Sequence, residues 1–473
     1  MTAEIMTDVA IIGAGTAGLY ALREVRQSRR SFILIDTGPL GTTCARVGCM
    51  PSKVALHAGA LWASRHKLKE IGVSGTDSLT IDLTVTWDAL RQQRDKFSNG
   101  AAEKTRRAAG EYLIRGRARF LEPTVIEVDS AGEKKIIRAA SVVIATGSRP
   151  VVPAWLEPVK DRMVTTDEFF ELESLPPRVG VLGLGAIGLE MGLAMSRLGV
   201  TVFGVDLAPV VAGISDPDVA QHVAEQFGTE MTMWLNNAVS VERTKQGILL
   251  RSGSNQAEVD LILCALGRRP NVDNLNLAEA GFPIGDRGMP VFDHATLQIG
   301  NLPVFIAGDA DGFRPLMHEA TDEGAIAGYN AARESVIRFR RKISMGIAFT
   351  NPDICSVGAR FDELDPVNTI IVSASGETNG RARILWAEGS VLRVYADARN
   401  GELLGATIFA ADGEHLAHLL AWAIQRRETA ESLLAMPFYH PVMEEMLQTA
   451  LQDIVRKIGS KGSFPAGLLA DYH

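Results

Sequence analysis

The chain has 473 residues, of which 46% are hydrophobic and 22% are charged, and its formal net charge at pH 7 is −8. This length exceeds what one hydrophobic core supports and favours about three domains. The acidic balance argues against nucleic acid as a partner, because phosphate contacts require an excess of Lys and Arg. We find neither a secretory signal nor an apolar run of about 20 residues. The sequence therefore predicts a cytoplasmic protein that does not act at a membrane.

Two segments of the chain share one pattern, in which a short apolar strand leads into a glycine-rich loop, a helix and a second strand ending in Asp. The first segment runs from TDVAII through GAGTAG to SFILID, and the second from RVGVL through GLGAIG to VTVFGVD. This pattern is the dinucleotide fingerprint, in which the glycines let the backbone turn tightly and approach a pyrophosphate, while the Asp accepts hydrogen bonds from ribose hydroxyls. The predicted nucleotide contacts are Gly13, Gly15, Gly18 and Asp36 in the first segment, and Gly183, Gly185, Gly188 and Asp206 in the second.

The second fingerprint favours NAD over NADP. The carboxylate of Asp206 would repel a ribose phosphate, and the following LAPVVAG contains neither Arg nor Lys. Two dinucleotide sites in one chain imply that electrons pass between a bound flavin nucleotide and a nicotinamide.

Four cysteines are too few for a disulfide framework in so long a chain, so any disulfide is predicted to be catalytic. Cys44 and Cys49 lie just before PSKVALHAGALWASRH, whose Pro51 suits the first turn of a helix. Cys49 at a helix N-terminus would have a stabilised thiolate. The alternative is that these are two small buried thiols. Lys53 follows Cys49 by one helical turn and would project from the same face.

Three further features are ambiguous when taken alone. Lys53 and Glu190, which lies two residues beyond the second fingerprint, could each be a solvated surface residue. His440, in FYHPVMEE, could be a turn residue before proline, or a base whose tautomer is fixed by Glu445. Apolar, strand-like runs surround the remaining cysteines, which have no partner at metal-ligand spacing, so we predict structural thiols and no metal site: Cys264 in LILCALG and Cys355 in DICSVG.

The predicted fold class is α/β, with two Rossmann-like nucleotide-binding domains and a C-terminal α+β domain. ASVVIATGSRP closes a first unit near residue 150, and DLILCALGRRPN closes an inserted unit near residue 271. A long helix is predicted in LMHEATDEGAIAGYNAARESVI. Beyond residue 346 the chain becomes rich in predicted strands (IAFTNPDICSVG, RILWA, VLRVYAD and LLGATIFA) and then returns to helices.

These motifs, with IATGSRP, ALGRRPN, IAGDA, MHEATDEG and YHPVMEE, follow the order of landmarks in the pyridine-nucleotide disulfide oxidoreductases, and the chain resembles that family over nearly its whole length. The resemblance implies a homodimer with an FAD domain (1–150 and 272–345), an NAD domain (151–271) and an interface domain (346–473). It also implies that Lys53 pairs with Glu190 beside the flavin, and that His440 and Glu445 serve the partner subunit. Further implied FAD contacts are Ala118, Thr146, Gly147, Ser148, Asp309, Met317 and His318, and Gly267 would border NAD.

Within the family, GLGAIG followed by Asp206 is most similar to dihydrolipoamide dehydrogenases. The substrate would then be a dihydrolipoyl group on another protein, or a small dithiol. Ala45 and Arg46 depart from the usual Leu-Asn beside the redox cysteines, and Met317 replaces a small residue. Two alternatives remain, namely an NAD(P)H-dependent reductase of another disulfide or electrophile, as in glutathione reductase or mercuric reductase, and an assembly subunit with incidental redox activity.

Overall fold

The computed structural model describes residues 3–459, 465–468 and 471. Within them the strands are β1 (Ala3–Ile12), β2 (Phe32–Asp36), β3 (Leu113–Arg115), β4 (Arg117–Glu122), β5 (Val125–Ser130), β6 (Glu133–Ile144), β7 (Ser148–Pro150), β8 (Met163–Thr165), β9 (Arg178–Leu182), β10 (Thr201–Val205), β11 (Thr232–Trp234), β12 (Val239–Arg243), β13 (Ile248–Ser252), β14 (Asn255–Val259), β15 (Leu261–Cys264), β16 (Arg268–Pro270), β17 (Val304–Ile306), β18 (Met345–Ala348), β19 (Asp353–Gly358), β20 (Thr369–Ser375), β21 (Val391–Asp397) and β22 (Leu403–Ala410). The α-helices are α1 (Thr16–Gln27), α2 (Thr43–Arg46), α3 (Cys49–Ala63), α4 (Leu83–Ala109), α5 (Ala186–Arg197), α6 (Pro217–Gly228), α7 (Met317–Ala331), α8 (Gly380–Ile384), α9 (Gly413–Gln425), α10 (Ala430–Leu434) and α11 (Glu445–Ile458).

The first sheet carries the first fingerprint and has the strand order β3-β2-β1-β6-β5-β4, with β17 joined to β6. Strand β1 pairs in parallel with β2 and β6, whereas the N-terminal half of β6 pairs antiparallel with β5. Alternate residues of β1 enter two different cores: Val9 and Ile11 on one face, Ala10 and Ile12 on the other. A strand that is buried on both faces has a continuous apolar sequence, and TDVAII therefore predicts such a strand.

The second fingerprint lies on a separate five-stranded parallel sheet, in the order β11-β10-β9-β15-β8. A three-stranded antiparallel sheet of β12, β13 and β14 accompanies it. Where the chain passes from the first sheet to the second and back, β7 and β16 pair antiparallel, so the two connections run side by side. The predicted pair of nucleotide-binding folds is confirmed.

The C-terminal part is a five-stranded antiparallel sheet in the order β18-β19-β22-β21-β20. Helix α9 packs on β19 and β22, and α11 packs on β20 and β21. The spacing of the residues that α11 buries places them on one face, as expected for an amphipathic helix: Met446, Leu447, Ala450, Leu451 and Ile454. The predicted α+β character of this part is confirmed.

Some details of the predicted elements were wrong. RILWA was expected to belong to a strand, but its first two residues end α8, which begins because Asn379 caps it by accepting a hydrogen bond from the Ala382 amide at 2.8 Å. Strand β20 was not identified. The predicted long helix α7 ends at Ala331 instead of continuing through ESVI. Among the described residues, every helix is too short or too polar to cross a membrane.

Candidate active site

The two glycine-rich loops have the same geometry. Gly13 has a φ of +111°, and a Cβ there would lie 2.1 Å from the Ala145 carbonyl oxygen. A Cβ on Gly18 would lie 1.9 Å from the Gly13 carbonyl oxygen, whereas one on Gly15 would meet nothing within 4 Å. The outer glycines are thus required by close packing of strand, loop and helix, and the middle one leaves open space at the start of α1.

The second loop repeats each of these relations. Cβ atoms on Gly183 and Gly188 would lie 2.5 Å from the Ala265 carbonyl oxygen and 1.9 Å from the Gly183 carbonyl oxygen, respectively. Gly185 again faces open space, here at the start of α5. Both loops fit a bound pyrophosphate, because backbone N–H groups and the helix dipole point into the open position.

An Asp at the end of the second strand of each unit, the last residue of β2 and the residue after β10, faces its loop. Asp36 accepts hydrogen bonds from the Ala14 amide at 2.8 Å and the Gly38 amide at 2.5 Å. Asp206 accepts from the Leu184 and Ala208 amides at 2.5 and 2.8 Å. Because each carboxylate oxygen has two lone pairs, both side chains keep acceptor capacity for ribose hydroxyls.

A cavity of about 280 Å³ opens beside the first loop and brings together four of the predicted FAD contacts, Gly13, Asp36, Ala118 and Thr146. The Thr146 hydroxyl is buried there with no hydrogen-bond partner in the described part of the protein. A buried polar atom without a partner is costly, so this hydroxyl suits a ligand with polar groups. The cavity and the loop together suit the pyrophosphate and ribose part of a flavin dinucleotide.

Three more of the predicted FAD contacts form a connected group. The Ser148 hydroxyl donates to an Asp309 carboxylate oxygen at 2.6 Å, and Gly147, with a φ of +68°, precedes this serine. Met317 and His318 are exposed at the start of α7. Arg268, which was not predicted, donates to the Ser148 hydroxyl at 2.8 Å.

The two redox-pair cysteines lie on two consecutive helices. Cys44 is in α2, Cys49 begins α3, and both are half-buried free thiols. A hydrogen bond from Cys44, together with the positive charge of Lys53, lowers the pKa of Cys49 to about 7. The same hydrogen bond and burial raise the pKa of Cys44. The pair is therefore polarised, in the sense that Cys49 is the more acidic thiol and Cys44 holds its proton more strongly.

Lys53 and Glu190 form an ion pair between α3 and α5. The Lys53 Nζ atom lies 2.8 and 2.9 Å from the two carboxylate oxygens of Glu190, whose side chain is 4% exposed. Phe349, which the sequence did not point to, contacts both partners: its amide donates to Glu190 at 2.9 Å, and its ring centroid is 4.8 Å from Lys53 Nζ.

His440 and Glu445 are also in contact, but at the surface. The His440 Nδ1 atom lies 3.0 Å from a Glu445 carboxylate oxygen, and the His440 side chain is 75% exposed. Glu445 additionally accepts from the Val442 amide at 3.2 Å, and its hydrogen bond with His440 lowers its pKa. In the described part of the chain no hydrogen bond joins His440 to either redox cysteine.

Arg46 and Gly267 complete the predicted set. Arg46 ends α2, its methylene groups pack near Gly41, and it forms no ion pair with any described residue. Gly267 has a φ of +98° and faces open space after β15. No group of three or more His, Cys, Asp or Glu side chains within the described ranges could hold a metal ion.

Comparison with known proteins identifies the family. Residues 7–324 match the model of the pyridine nucleotide-disulphide oxidoreductases, and residues 344–451 match the dimerisation domain of the same proteins. The chain belongs to this family. FAD and a pyridine nucleotide are therefore its cofactors, and its dimerisation domain indicates a homodimer.

Relatives within the family carry several names. The chain is 29% identical to a dihydrolipoyl dehydrogenase of Halobacterium salinarum, over 94% of this chain and 96% of the relative. It is 28% identical to a mercuric reductase of Staphylococcus aureus, over 90% of this chain and 78% of the relative. The fold is similar to that of the HOCl-induced flavoprotein disulfide reductase RclA from Escherichia coli, with a TM-score of 0.82, 22% identity and coverage of 94% and 99%.

Two contact residues of this oxidoreductase were not predicted from the sequence. Both lie where its units meet. Phe349 comes from the loop between β18 and β19, and Arg268 comes from β16. The sequence around Phe349 and Arg268 does not indicate these contacts, because each residue reaches its partners only through tertiary packing. The only signal was their position inside the motifs FTNPDICSVG and ALGRRPN.

Proposed function

We propose that this protein oxidises a dithiol with NAD, and that the dithiol is a dihydrolipoyl group on another protein or a small analogue. The observation that carries the proposal is the polarised pair of Cys44, in α2, and Cys49, at the start of α3, with Lys53 one turn beyond Cys49. The dihydrolipoyl dehydrogenases among its relatives support the substrate. Asp206, with no nearby cation in LAPVVAG, supports NAD over NADP.

The thiol chemistry assigns different work to the two cysteines. With the pair oxidised, His440 of the partner subunit takes the proton from one substrate thiol, and the resulting thiolate attacks the Cys44 sulfur. The Cys44–Cys49 bond breaks, and Cys49 leaves as a thiolate, which its lowered pKa favours. The second substrate thiol, on losing its proton, attacks the substrate sulfur bound to Cys44, which releases the oxidised substrate. Two electrons now reside on the Cys44–Cys49 pair.

The remaining predicted residues hold the cofactors. When bound, FAD supplies two-electron transfer between the reduced cysteine pair and NAD. The first loop, Asp36 and the Thr146 cavity would hold it, and the second loop and Asp206 would hold NAD. Lys53 and Glu190 would meet the flavin, and Gly267 would border NAD. The domain limits (1–150 with 272–345, 151–271, and 346–473) and the cytoplasmic location stay predictions.

A second candidate is the reverse reaction, in which NADH or NADPH reduces a different disulfide or an electrophile. Arg46 favours an anionic substrate, since it is a half-buried cation beside the redox pair without an ion-pair partner in the described structure. An assembly subunit with incidental redox activity is the least favoured candidate, because it would not require a polarised cysteine pair.

Steady-state kinetics of the purified flavoprotein tests these candidates. We expect the highest kcat/KM with dihydrolipoamide and NAD, compared with NADH or NADPH plus glutathione disulfide or mercuric ion. A Cys44→Ser variant should lose dithiol oxidation while it retains bound flavin. Negligible turnover of dihydrolipoamide by the parent protein would contradict the proposed substrate.

The role of Arg46 is tested in the same assay. Replacing it by Asn should lower kcat/KM for anionic glutathione disulfide by about tenfold, the size of a lost charge-assisted contact, and should leave neutral dihydrolipoamide nearly unchanged. An unchanged ratio of the two substrates in Arg46→Asn would show that this cation does not select the substrate.

A further inference from the structure

The loop that joins β18 to β19 is attached to α5 at two points. The Phe349 amide donates to Glu190 Oε1 at 2.9 Å, and Arg197 donates to the Asn351 carbonyl oxygen at 3.0 Å. Glu190 and Arg197 are two helical turns apart and project from the same face of α5. The C-terminal sheet is thereby anchored on the helix that follows the second glycine-rich loop.

Buried polar contacts support the loop itself. Thr350 is fully buried, and its hydroxyl donates to the Pro352 carbonyl oxygen at 2.5 Å. Arg197 is 6% exposed and is oriented by a second contact, an ion pair with Glu230 at 2.7 Å. The loop is therefore tied to α5 on both sides of the buried Thr350, by Glu190 before it and by Arg197 after it.

The Phe349 ring faces the ammonium group of Lys53. The distance from Nζ to the ring centroid is 4.8 Å, within the range of a cation–π contact. Lys53 is 34% exposed, so its long side chain would otherwise sample several rotamers. The Glu190 carboxylate and the aromatic face contact the same ammonium group and together restrict it.

We propose that Phe349 is a positioning residue, which keeps the Lys53 ammonium beside the redox cysteines by holding it between its own ring and Glu190. The inference rests on the proposed redox function of the cysteine pair and adds to it a residue from the C-terminal sheet. If the C-terminal sheet moved away from α5, the loop that carries Phe349 would move with it, and Lys53 would no longer be held in place.

The position of the Lys53 ammonium group affects a measurable property of Cys49, namely its pKa. The charged or titratable groups that act on this thiol are Cys44 from α2, Lys53 from α3 and Glu190 from α5. Lys53 lowers the pKa of Cys49, so that pKa should rise above about 7 when the Lys53 ammonium group is free to move away from the thiol. The rate at which iodoacetamide alkylates Cys49 at neutral pH should then fall.

The test uses the reduced holoenzyme, with the alkylation rate of Cys49 followed across pH by peptide mass spectrometry. In Phe349→Leu we expect the midpoint to move up by about half a pH unit and the rate at pH 7 to fall about two- to threefold, as for one lost cation–π contact. Phe349→Tyr keeps an aromatic face and should restore the parental profile. Phe349→Met fills the space without a ring and should behave like Phe349→Leu.

Two controls separate positioning from packing. Phe361→Leu removes a half-buried ring from the same C-terminal unit, where it packs edge-on against Tyr395, and should leave the profile unchanged. Lys53→Met should give the full rise in the midpoint. A parental profile in both Phe349→Leu and Phe349→Met would overturn the proposal, as would a parental profile in Lys53→Met. Because alkylation needs no substrate turnover, failure of the proposed dithiol activity would be seen separately.

Discussion

The side-chain pairs Lys53–Glu190 and His440–Glu445 are alike in chemistry and opposite in surroundings. Both join a cation or base to a carboxylate at hydrogen-bond distance, 2.8 Å in the first pair and 3.0 Å in the second. The carboxylate of Glu190 is buried among α3, α5 and the Phe349 loop, whereas His440 is three-quarters exposed. The first pair is thus enclosed within one chain, whereas the second leaves its imidazole open to solvent.

We expect the dimerisation domain to bring His440 against the surface of a second subunit. His440 lies between α10 and α11 of the unit that the family uses to dimerise. An exposed imidazole with a fixed carboxylate is a poor contributor to stability but a suitable base once it faces a thiol. The first pair should therefore matter for folding and for the cysteines, and the second mainly for turnover, with only a small contribution to stability.

The largest effect should come from His440→Gln. We expect kcat for dithiol oxidation to fall about a thousandfold, because the proton on the attacking thiol loses its acceptor. The free energy of unfolding should change by no more than about 0.5 kcal/mol, as for other exposed pairs. Steady-state kinetics and urea unfolding of the same preparation measure both. A large loss of stability with normal turnover would reverse the comparison.

Lys53→Met should give the opposite result for stability. It leaves the Glu190 carboxylate buried without its partner, and we expect the free energy of unfolding to fall by about 2 kcal/mol. The loss is smaller than for a fully buried pair, because a third of the Lys53 side chain is exposed. Urea unfolding of the holoenzyme at fixed flavin concentration checks this. Unchanged stability would mean that the pair is as weakly coupled as a surface one.

The smallest effect is expected for Glu445→Gln, which keeps the shape of the side chain and removes its charge. Turnover should fall about tenfold, since the imidazole loses the carboxylate that orients it. The folded-state pKa of Glu445 is lowered, so its contribution to stability is present above the ordinary carboxyl range and is lost as pH falls through the folded value. Any stability difference from the parent protein should therefore vanish in acid, and a difference that grows in acid would contradict this.

The sequence was informative where function imposes a local pattern. Gly13, Gly18 and their counterparts in the second unit are needed because a Cβ would collide with neighbouring backbone, and the spacing to Asp36 and Asp206 follows from one strand–loop–helix unit. The cysteine pair was recognisable because the helix start is encoded beside it. These features depend on residues close together in the chain.

Contacts between distant segments were not predictable in this way. Phe349 meets Lys53 and Glu190 only after three units have packed, and nothing in its neighbours indicates an aromatic face toward a lysine. RILWA has strand-like composition, yet the cap from Asn379 and the burial of Ala382 start a helix there. The exposure of His440 also depends on tertiary structure, because the sequence shows which residues precede and follow it but not which residues pack around it.

The most direct test of a catalytic centre completed by two chains is the activity of a mixed dimer. One subunit carries Cys44→Ser and the other His440→Gln, each with a different affinity tag, and the purified heterodimer is assayed for dithiol oxidation by NAD. If His440 serves the cysteines of the partner subunit, one of the two sites contains both intact groups, and the heterodimer should show about half the activity of the parent protein. A heterodimer as inactive as the two variant homodimers would contradict the account.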